Sequence, residues 1–293
     1  MRVIPGAEAF SSDVGKVGVV LCHGFTGTPA SLRPWAEHLT AAGYSVRVPR
    51  LAGHGTTWRD LNRTTWHDWY SGVDRAFRDL DARCDAVAVG GLSMGGALAL
   101  RLAQEHGRRV AGLVLVNPAV LVENRLLFAL PALRHVVPSF PGIASDIRKP
   151  GQVEVAYDRT PLHAVHSMLR MYRQVVRDLP HVRAPLLLLR STVDHVVPAA
   201  SSALVLSRVS SSDVEEVLLE DSYHVATQDH DAERIFDLSA RFVARVTAAT
   251  GPADTGSADT GSADTVAADT VAADPVAADS ISADTVSAEL GRG

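Results

Sequence analysis

The sequence predicts an α/β fold, a mostly parallel β-sheet flanked by helices on both faces, with one long insertion midway. Three observations carry this. Short apolar runs such as Val17–Cys22, Asp85–Val89, Val110–Val116 and Pro185–Arg190 alternate along the chain with stretches of helical periodicity. The runs are apolar at successive positions rather than every second one, which marks strands buried on both faces of a parallel sheet. The alternation then breaks down between Ala119 and Arg183, about 65 residues that are too long for a plain connection. The expected organisation is a core of residues 1–118 and 184–250, an inserted cap of residues 119–183, and a tail of residues 251–293.

Each element has its own local reason. After the Val17–Cys22 strand, Thr28 followed by Pro29 is a helix start, and Ala30–Ala42 carries Leu32, Trp35 and Leu39 at helical spacing before Gly43 as C-cap. Tyr44–Val48 is the next strand, and Leu51–Thr56 is a loop. Trp66–Leu80 is a helix with Trp69, Val73, Ala76 and Leu80 on one face. The Asp85–Val89 strand enters the glycine turn Gly90–Gly96, and Ala97–Gln104 continues in strong helix formers. Val110–Val116 is a strand ending at Asn117-Pro118. Inside the insertion, Leu126–Val137 is apolar with Pro131 in it, Pro138–Gly151 is rich in turn residues, and His163–Leu179 is amphipathic with Val165, Leu169, Tyr172 and Val176 on one face. Strand Pro185–Arg190, helix Ala199–Arg208, strand Val214–Leu219 and helix Ala232–Val246 complete the core. Because the insertion follows a strand, it emerges at the carboxyl ends, where open α/β sheets bind ligands. A pair of extra helices packed on the side is the plainer alternative.

The net charge of -5 belongs to the tail rather than to the body. Residues 251–293 hold seven Asp, one Glu and one Arg, which leaves the rest of the chain near +2. The tail runs in five-residue units such as GSADT and VAADT, without aromatics, and is expected to be a disordered acidic extension. No basic stripe interleaved with aromatics appears, so nucleic acid is not an expected partner. The amino terminus lacks a signal-peptide run, no apolar stretch reaches membrane-span length, and Cys22 and Cys84 have no disulfide-framework spacing; a cytoplasmic protein is expected.

The chemistry centres on Gly91-Leu92-Ser93-Met94-Gly95. A G-x-S-x-G turn between a strand and a helix forces its serine into a strained conformation and exposes the hydroxyl at the strand's carboxyl end. A serine hydroxyl needs a base, and the base needs an orienting carboxylate. In this setting the chain order is Ser, then acid, then His. Asp194 follows the Pro185–Arg190 strand and His224 follows the Val214–Leu219 strand, so both reach the same sheet edge as Ser93. His195 adjoins the acid and points elsewhere, and Asp221 is too close in sequence to His224 to bond its ring. An Asx-turn in the loop before Pro198 is the competing role for Asp194. The oxyanion of an acyl-transfer intermediate needs two N–H donors, expected from the backbones of Met94 and Phe25. No metal-ligand spacing and no dinucleotide fingerprint is present, so no metal and no cofactor are expected.

Four segments, His23–Pro29, Gly91–Gly96, Asp194–Pro198 and Ser222–Thr227, together resemble bacterial monoacylglycerol lipases of the α/β-hydrolase superfamily, close to the small bacterial carboxylesterases. The resemblance runs from Val17 to Val246 and includes Ser145-Asp146-Ile147, Glu154, Ala156-Tyr157 and Thr160-Pro161 of the insertion. It implies an α/β-hydrolase fold with Ser93 as nucleophile, Asp194 as orienting acid, His224 as general base, and Phe25 and Met94 N–H groups as the oxyanion hole. It further implies a cap lining an apolar acyl tunnel, with Glu154 at the glycerol end and Ile143 beside it; a solvated cap residue is the alternative for Glu154. The implied partner is a small lipid ester. The Leu126–Val137 stretch fits an acyl-contacting or membrane-touching lid, although a buried helix reads the same. The expected reaction is ester hydrolysis through an acyl-enzyme, with monoacylglycerol as substrate. A general short-chain carboxylesterase and a non-catalytic protein holding a hydrophobic ligand are the alternatives.

Overall fold

In a computed structural model, which describes residues 2–123, 128–142 and 145–248, the apolar runs become strands of one sheet. In chain order the elements are β1 (Phe10–Ser12), β2 (Val17–Cys22), α1 (Arg33–Ala41), β3 (Ser45–Val48), α2 (Trp58–Leu61), α3 (Trp66–Asp81), β4 (Ala86–Leu92), α4 (Met94–His106) and β5 (Val110–Val116). The insertion then supplies α5 (Leu130–Leu133), β6 (Ser139–Pro141), β7 (Arg159–Pro161) and α6 (Leu162–Asp178). The core resumes with β8 (Leu186–Ser191), α7 (Ala199–Arg208), β9 (Val214–Leu219) and α8 (Ala232–Ala248). Ile143, Leu126, Leu127 and the tail at 251–293 lie outside the described residues.

The sheet order is β1-β3-β2-β4-β5-β8-β9, parallel throughout except for β1, which runs antiparallel to β3. Register places Val19 beside Ala88 and Leu92 beside Val116, so the ends of β4 and β5 are level. Strand side chains point alternately to opposite faces. Val20, Val89, Leu113, Leu115 and Leu188 therefore join a core with Trp69, Val73 and Phe77 of α3 and Leu98 and Leu102 of α4. Val19, Leu21, Val114, Val116 and Leu187 join the opposite core with Trp35 and Leu39 of α1 and Phe236, Phe242 and Val243 of α8. Each fully buried Leu, Val or Phe among these contributes about 1.5–3 kcal/mol of transfer free energy.

Local chemistry sets the boundaries. Asp68 in the first turn of α3 accepts from the Thr65 backbone N–H at 2.8 Å, closing that helix start. Pro29–Leu32 forms a 3₁₀ turn before α1 rather than the first turn of one helix from Ala30, and Gly43 follows α1 at φ 93°. β4 extends through Gly90 and Gly91 to Leu92, beyond the expected Val89, and α4 begins at Met94 instead of Ala97. The insertion is joined to the core by side-chain bonds to backbone. The buried Tyr157 hydroxyl donates to the Gly53 carbonyl at 2.7 Å and accepts from the Thr56 N–H at 2.8 Å. Asp229 accepts from the Arg148 and Lys149 N–H groups at 2.7 and 2.9 Å.

Candidate active site

Ser93 sits between the last residue of β4 and the first of α4 at φ 57° and ψ -121°. An L-residue held in such a conformation stores about 1–3 kcal/mol of strain. Neighbouring backbone enforces it: the Ser93 N–H donates to the Val116 carbonyl at 3.0 Å, and its carbonyl accepts from the Gly96 and Ala119 N–H groups at 2.9 and 3.1 Å. Glycine is obligatory two residues on, because a Cβ on Gly95 would stand 1.9 Å from the Cys22 carbonyl oxygen. Without a Cβ at that position, the start of α4 can lie directly against the backbone at the end of β2.

Asp194 follows β8 and His224 follows β9. Their side chains meet with His224 Nδ1 2.8 Å from Asp194 Oδ2, both nearly withdrawn from solvent. The second Asp194 oxygen accepts from the Val196 and Val197 N–H groups, each at 2.8 Å. Burial alone would raise the Asp194 carboxyl, but the His224 ring and these two donors outweigh it and hold its pKa below the ordinary value. Asp194 is thus an anion at neutral pH, and an anionic acceptor places the imidazole proton on Nδ1. Nε2 is left as the free ring nitrogen of His224, without another protein partner among the described residues. Ser93 and His224 line one cavity of about 280 Å³, together with Phe25, Glu154, Met168 and Tyr172.

The loop after β2 presents the Phe25 N–H, and α4 begins with the Met94 N–H; neither donates to a protein acceptor among the described residues. His23 shapes this loop. Its Nε2 accepts from the Leu51 N–H at 3.2 Å, so the proton sits on Nδ1, which donates to the Gly24 carbonyl at 3.0 Å. Burial, opposed by the Gly24 bond and aided by Arg50, lowers the His23 pKa to about 4, so this ring stays neutral. His54 packs edge-on against it and is likewise held well below the ordinary imidazole value, chiefly by burial.

Glu154 lines the cavity, half-buried, and its carboxylate accepts no hydrogen bond from the protein among the described residues. Burial raises its pKa, against the pull of His224. A Cβ on Gly27 would approach Glu154 Oε1 to 2.7 Å, so the glycine keeps the loop clear of this side chain. Ile143, expected beside Glu154, lies outside the described residues.

Three residues without an expected role prove to hold the site together. Asn117, at the end of β5 with φ 44°, accepts from the Ser191 N–H at 2.7 Å and donates to the His224 carbonyl at 2.8 Å and to Ser191 Oγ at 3.0 Å. Asp146 of the insertion accepts from the His224 N–H at 3.2 Å, the His195 N–H at 3.1 Å and His195 Nδ1 at 2.8 Å. Its own carbonyl accepts from Val225 at 3.0 Å. Asp229 adds the Tyr223 N–H at 2.9 Å to its two donors from the insertion. His195 therefore turns away from Asp194 towards Asp146, and Asp221 pairs with Arg148 at 3.3 Å rather than with His224. The only sequence signals were an Asn-Pro at a strand end and the Ser145-Asp146-Ile147 segment carried by resemblance. Among the described residues no group of three or more His, Cys, Asp or Glu side chains is arranged to hold a metal ion.

The family model described as "Serine aminopeptidase, S33" matches residues 15–231, which include Ser93, Asp194 and His224. The chain belongs to that family. The chain is 41% identical over 243 residues to the thermostable monoacylglycerol lipase of Bacillus sp. (strain H-257), covering 83% of this chain and 96% of the relative. It is 24% identical over 241 residues to a carboxylesterase of Bacillus subtilis (strain 168), covering 80% and 95%. Among solved structures, a chain described under the metagenome-derived lipolytic enzymes LipS and LipT superposes with TM-score 0.81 at 40% identity, covering 83% of this chain and 100% of that one. The S33 assignment and this superposition establish the α/β-hydrolase fold for the chain. No helix among the described residues is long and apolar enough to cross a membrane.

Proposed function

We propose that this protein is a serine ester hydrolase whose preferred substrate is a monoacylglycerol, cleaved to glycerol and a fatty acid through an acyl-enzyme on Ser93. The observation that carries this reading is the buried His224–Asp194 pair at 2.8 Å facing the cavity that Ser93 also lines. His224 Nε2 takes the Ser93 proton as Oγ attacks the ester carbonyl. Charge develops on the carbonyl oxygen, and the unpaired N–H groups of Phe25 and Met94 receive it. The intermediate collapses as His224 returns its proton to the departing glycerol oxygen. Water then attacks the acyl carbonyl as His224 takes its proton, and His224 returns that proton to Ser93 Oγ as the acyl–oxygen bond breaks and the acid departs. Asp194 stabilises the imidazolium formed in both halves.

The monoacylglycerol preference draws on two supports, the lipase relative at 41% identity and the make-up of the cavity. Met168, Val165 and Tyr172 supply an apolar wall for an acyl chain, and the unpaired Glu154 carboxylate supplies an acceptor for glycerol hydroxyls. In this reading residues 119–183 are the cap of a core formed by 1–118 and 184–250. A neighbouring groove of about 930 Å³ shares Leu121, Val122 and Tyr172 with the cavity, and Phe128 on its rim is 92% exposed; both support transient contact with a lipid surface through the cap. Two free cysteines agree with a reducing, cytoplasmic setting.

The test is paired hydrolysis of a long-chain monoacylglycerol and a short-chain ester lacking glycerol, by the wild type and Ser93→Ala. We expect a preference for the monoacylglycerol and a loss of about 10⁴-fold or more in the variant. Preference for the short ester would move the protein to the general carboxylesterases, and full activity of Ser93→Ala would remove Ser93 as nucleophile.

A further inference from the structure

α6 has a second face that the cavity does not use. His163, His166, Arg170, Arg173 and Arg177 follow one another at spacings of three and four, so they form one stripe, about 21 Å long, along a single side of the helix. The first part of the stripe opens on a separate cavity of about 240 Å³ between the insertion and the 62–65 loop of the core. His163, His166 and Arg170 line it from α6, Arg134 from the turn after α5, and Arg63 from the loop.

No carboxylate lines this cavity, and Arg63, Arg134 and Arg170 make no salt bridge among the described residues. Other arginines do have carboxylate partners, as Arg47 has Asp13 and Asp79, and Arg101 has Glu105 and Asp178. Two acids that flank the loop in sequence, Asp60 and Asp68, are already engaged. Asp60 takes the Thr57 hydroxyl and faces Arg63 electrostatically, and Asp68 takes the Thr65 N–H and hydroxyl. Arg134 Nη1 donates to His166 Nδ1 at 3.1 Å, which leaves Nε2 as the protonated, donating nitrogen of that ring. Burial and then the Arg134 charge hold His163 and His166 below the ordinary imidazole value. Arg134 also donates through Nε to the Pro131 carbonyl at 3.3 Å, so the lining offers the guanidinium forks of Arg63 and Arg170, Nη2 of Arg134 and an imidazole N–H, a donor set that suits a tetrahedral oxyanion.

We propose that this pocket binds a phosphate-class oxyanion, presented either by a phospholipid headgroup or by free phosphate, which bridges α6 and Arg134 to the Arg63 loop. Bound there, the anion anchors α6 from behind while Val165, Met168 and Tyr172 on the other side of the same helix face the Ser93 cavity. The site is separate from Ser93 and does not depend on what the protein hydrolyses.

Two binding measurements on the full chain distinguish the sources. Inorganic phosphate is titrated calorimetrically, and co-sedimentation is measured with phosphatidylcholine vesicles with and without phosphatidic acid. The wild type is compared with Arg134→Gln/Arg170→Gln and, against local misfolding, with Arg63→Gln/Arg170→Gln, whose side chains are both exposed; Arg75→Gln on α3 is the charge control. We expect at least one probe to bind the wild type and to be weakened about ten-fold or more in both double variants, with Arg75→Gln unchanged. Phosphate binding lost in the double variants assigns the free ion, and loss confined to phosphatidic acid vesicles assigns the headgroup. Failure of both probes on the wild type, or equal binding by the double variants, overturns the site. Ester hydrolysis by the same samples keeps the two proposals apart, since either can fail while the other stands.

Discussion

Asn117→Asp tests whether the end of β5 holds the His224 loop in place. The substitution keeps the shape of the side chain and tolerates the φ of 44°. The bond from the Ser191 N–H to Oδ1 survives. The donated bonds do not, because an oxygen replaces Nδ2 and then stands 2.8 Å from the His224 carbonyl, 3.0 Å from Ser191 Oγ and 3.4 Å from the Tyr223 carbonyl. Two buried hydrogen bonds disappear and a buried carbonyl is left unpaired, a loss of about 3 kcal/mol at pH 8. Protonating the introduced carboxyl would restore one donor, so folding favours the protonated form and raises the pKa of the new group above its unfolded value. Such a group contributes most below the unfolded pKa and loses its contribution as pH rises through the folded one. The deficit is therefore largest at pH 8 and narrows towards pH 5. Urea unfolding followed by tryptophan fluorescence at both pH values measures it, with the wild type as reference at each. A deficit under about 1 kcal/mol at pH 8, or one that does not narrow on acidification, would refute the reasoning.

Two further substitutions separate positioning from chemistry. Asp146→Ala removes the acceptor shared by the His224 and His195 backbones; we expect kcat to fall about ten- to a hundred-fold with KM within about two-fold, and unchanged kcat would dismiss the coupling between insertion and base. Glu154→Leu should raise KM for a monoacylglycerol about ten-fold and leave a short ester lacking glycerol within about two-fold, whereas an equal loss on both substrates would make Glu154 merely structural.

Much of the core was legible because its physics is local. Apolar runs that are continuous rather than alternating announce strands covered on both faces, and the order Ser93, Asp194, His224 places each side chain after its own strand. The elements without a sequence signature are three or four residues long. β1, β6, β7, α2 and α5 are too short to show a period, and they exist through partners distant in sequence, as β6 does through its pairing of Ser139 with Pro161. Asn117, Asp146 and Asp229 were illegible for a related reason. Each acts through backbone N–H or carbonyl groups of other loops, and backbone partners leave no mark in side-chain patterns. The basic stripe of α6 carries no interleaved aromatics on its own face, and that Arg170 has no ion-pair partner among the described residues while Arg177 has Asp178 is decided only by neighbours in the fold.

Asp229 has a bearing on how members of this family can be recombined. The residue is 1% exposed, and its carboxylate takes four backbone donors, two from the insertion at Arg148 and Lys149 and two from the core at Tyr223 and His230. A chimaera that exchanged residues 119–183 alone would leave this carboxylate in a seam whose other half had changed, and any misfit would strand a buried charge at a cost of several kcal/mol. The transplantable unit is therefore larger than the stretch that interrupts the strand–helix alternation. It includes the segment from Asp221 to Asp231, so a graft that alters substrate choice has to carry the loop bearing His224 along with it.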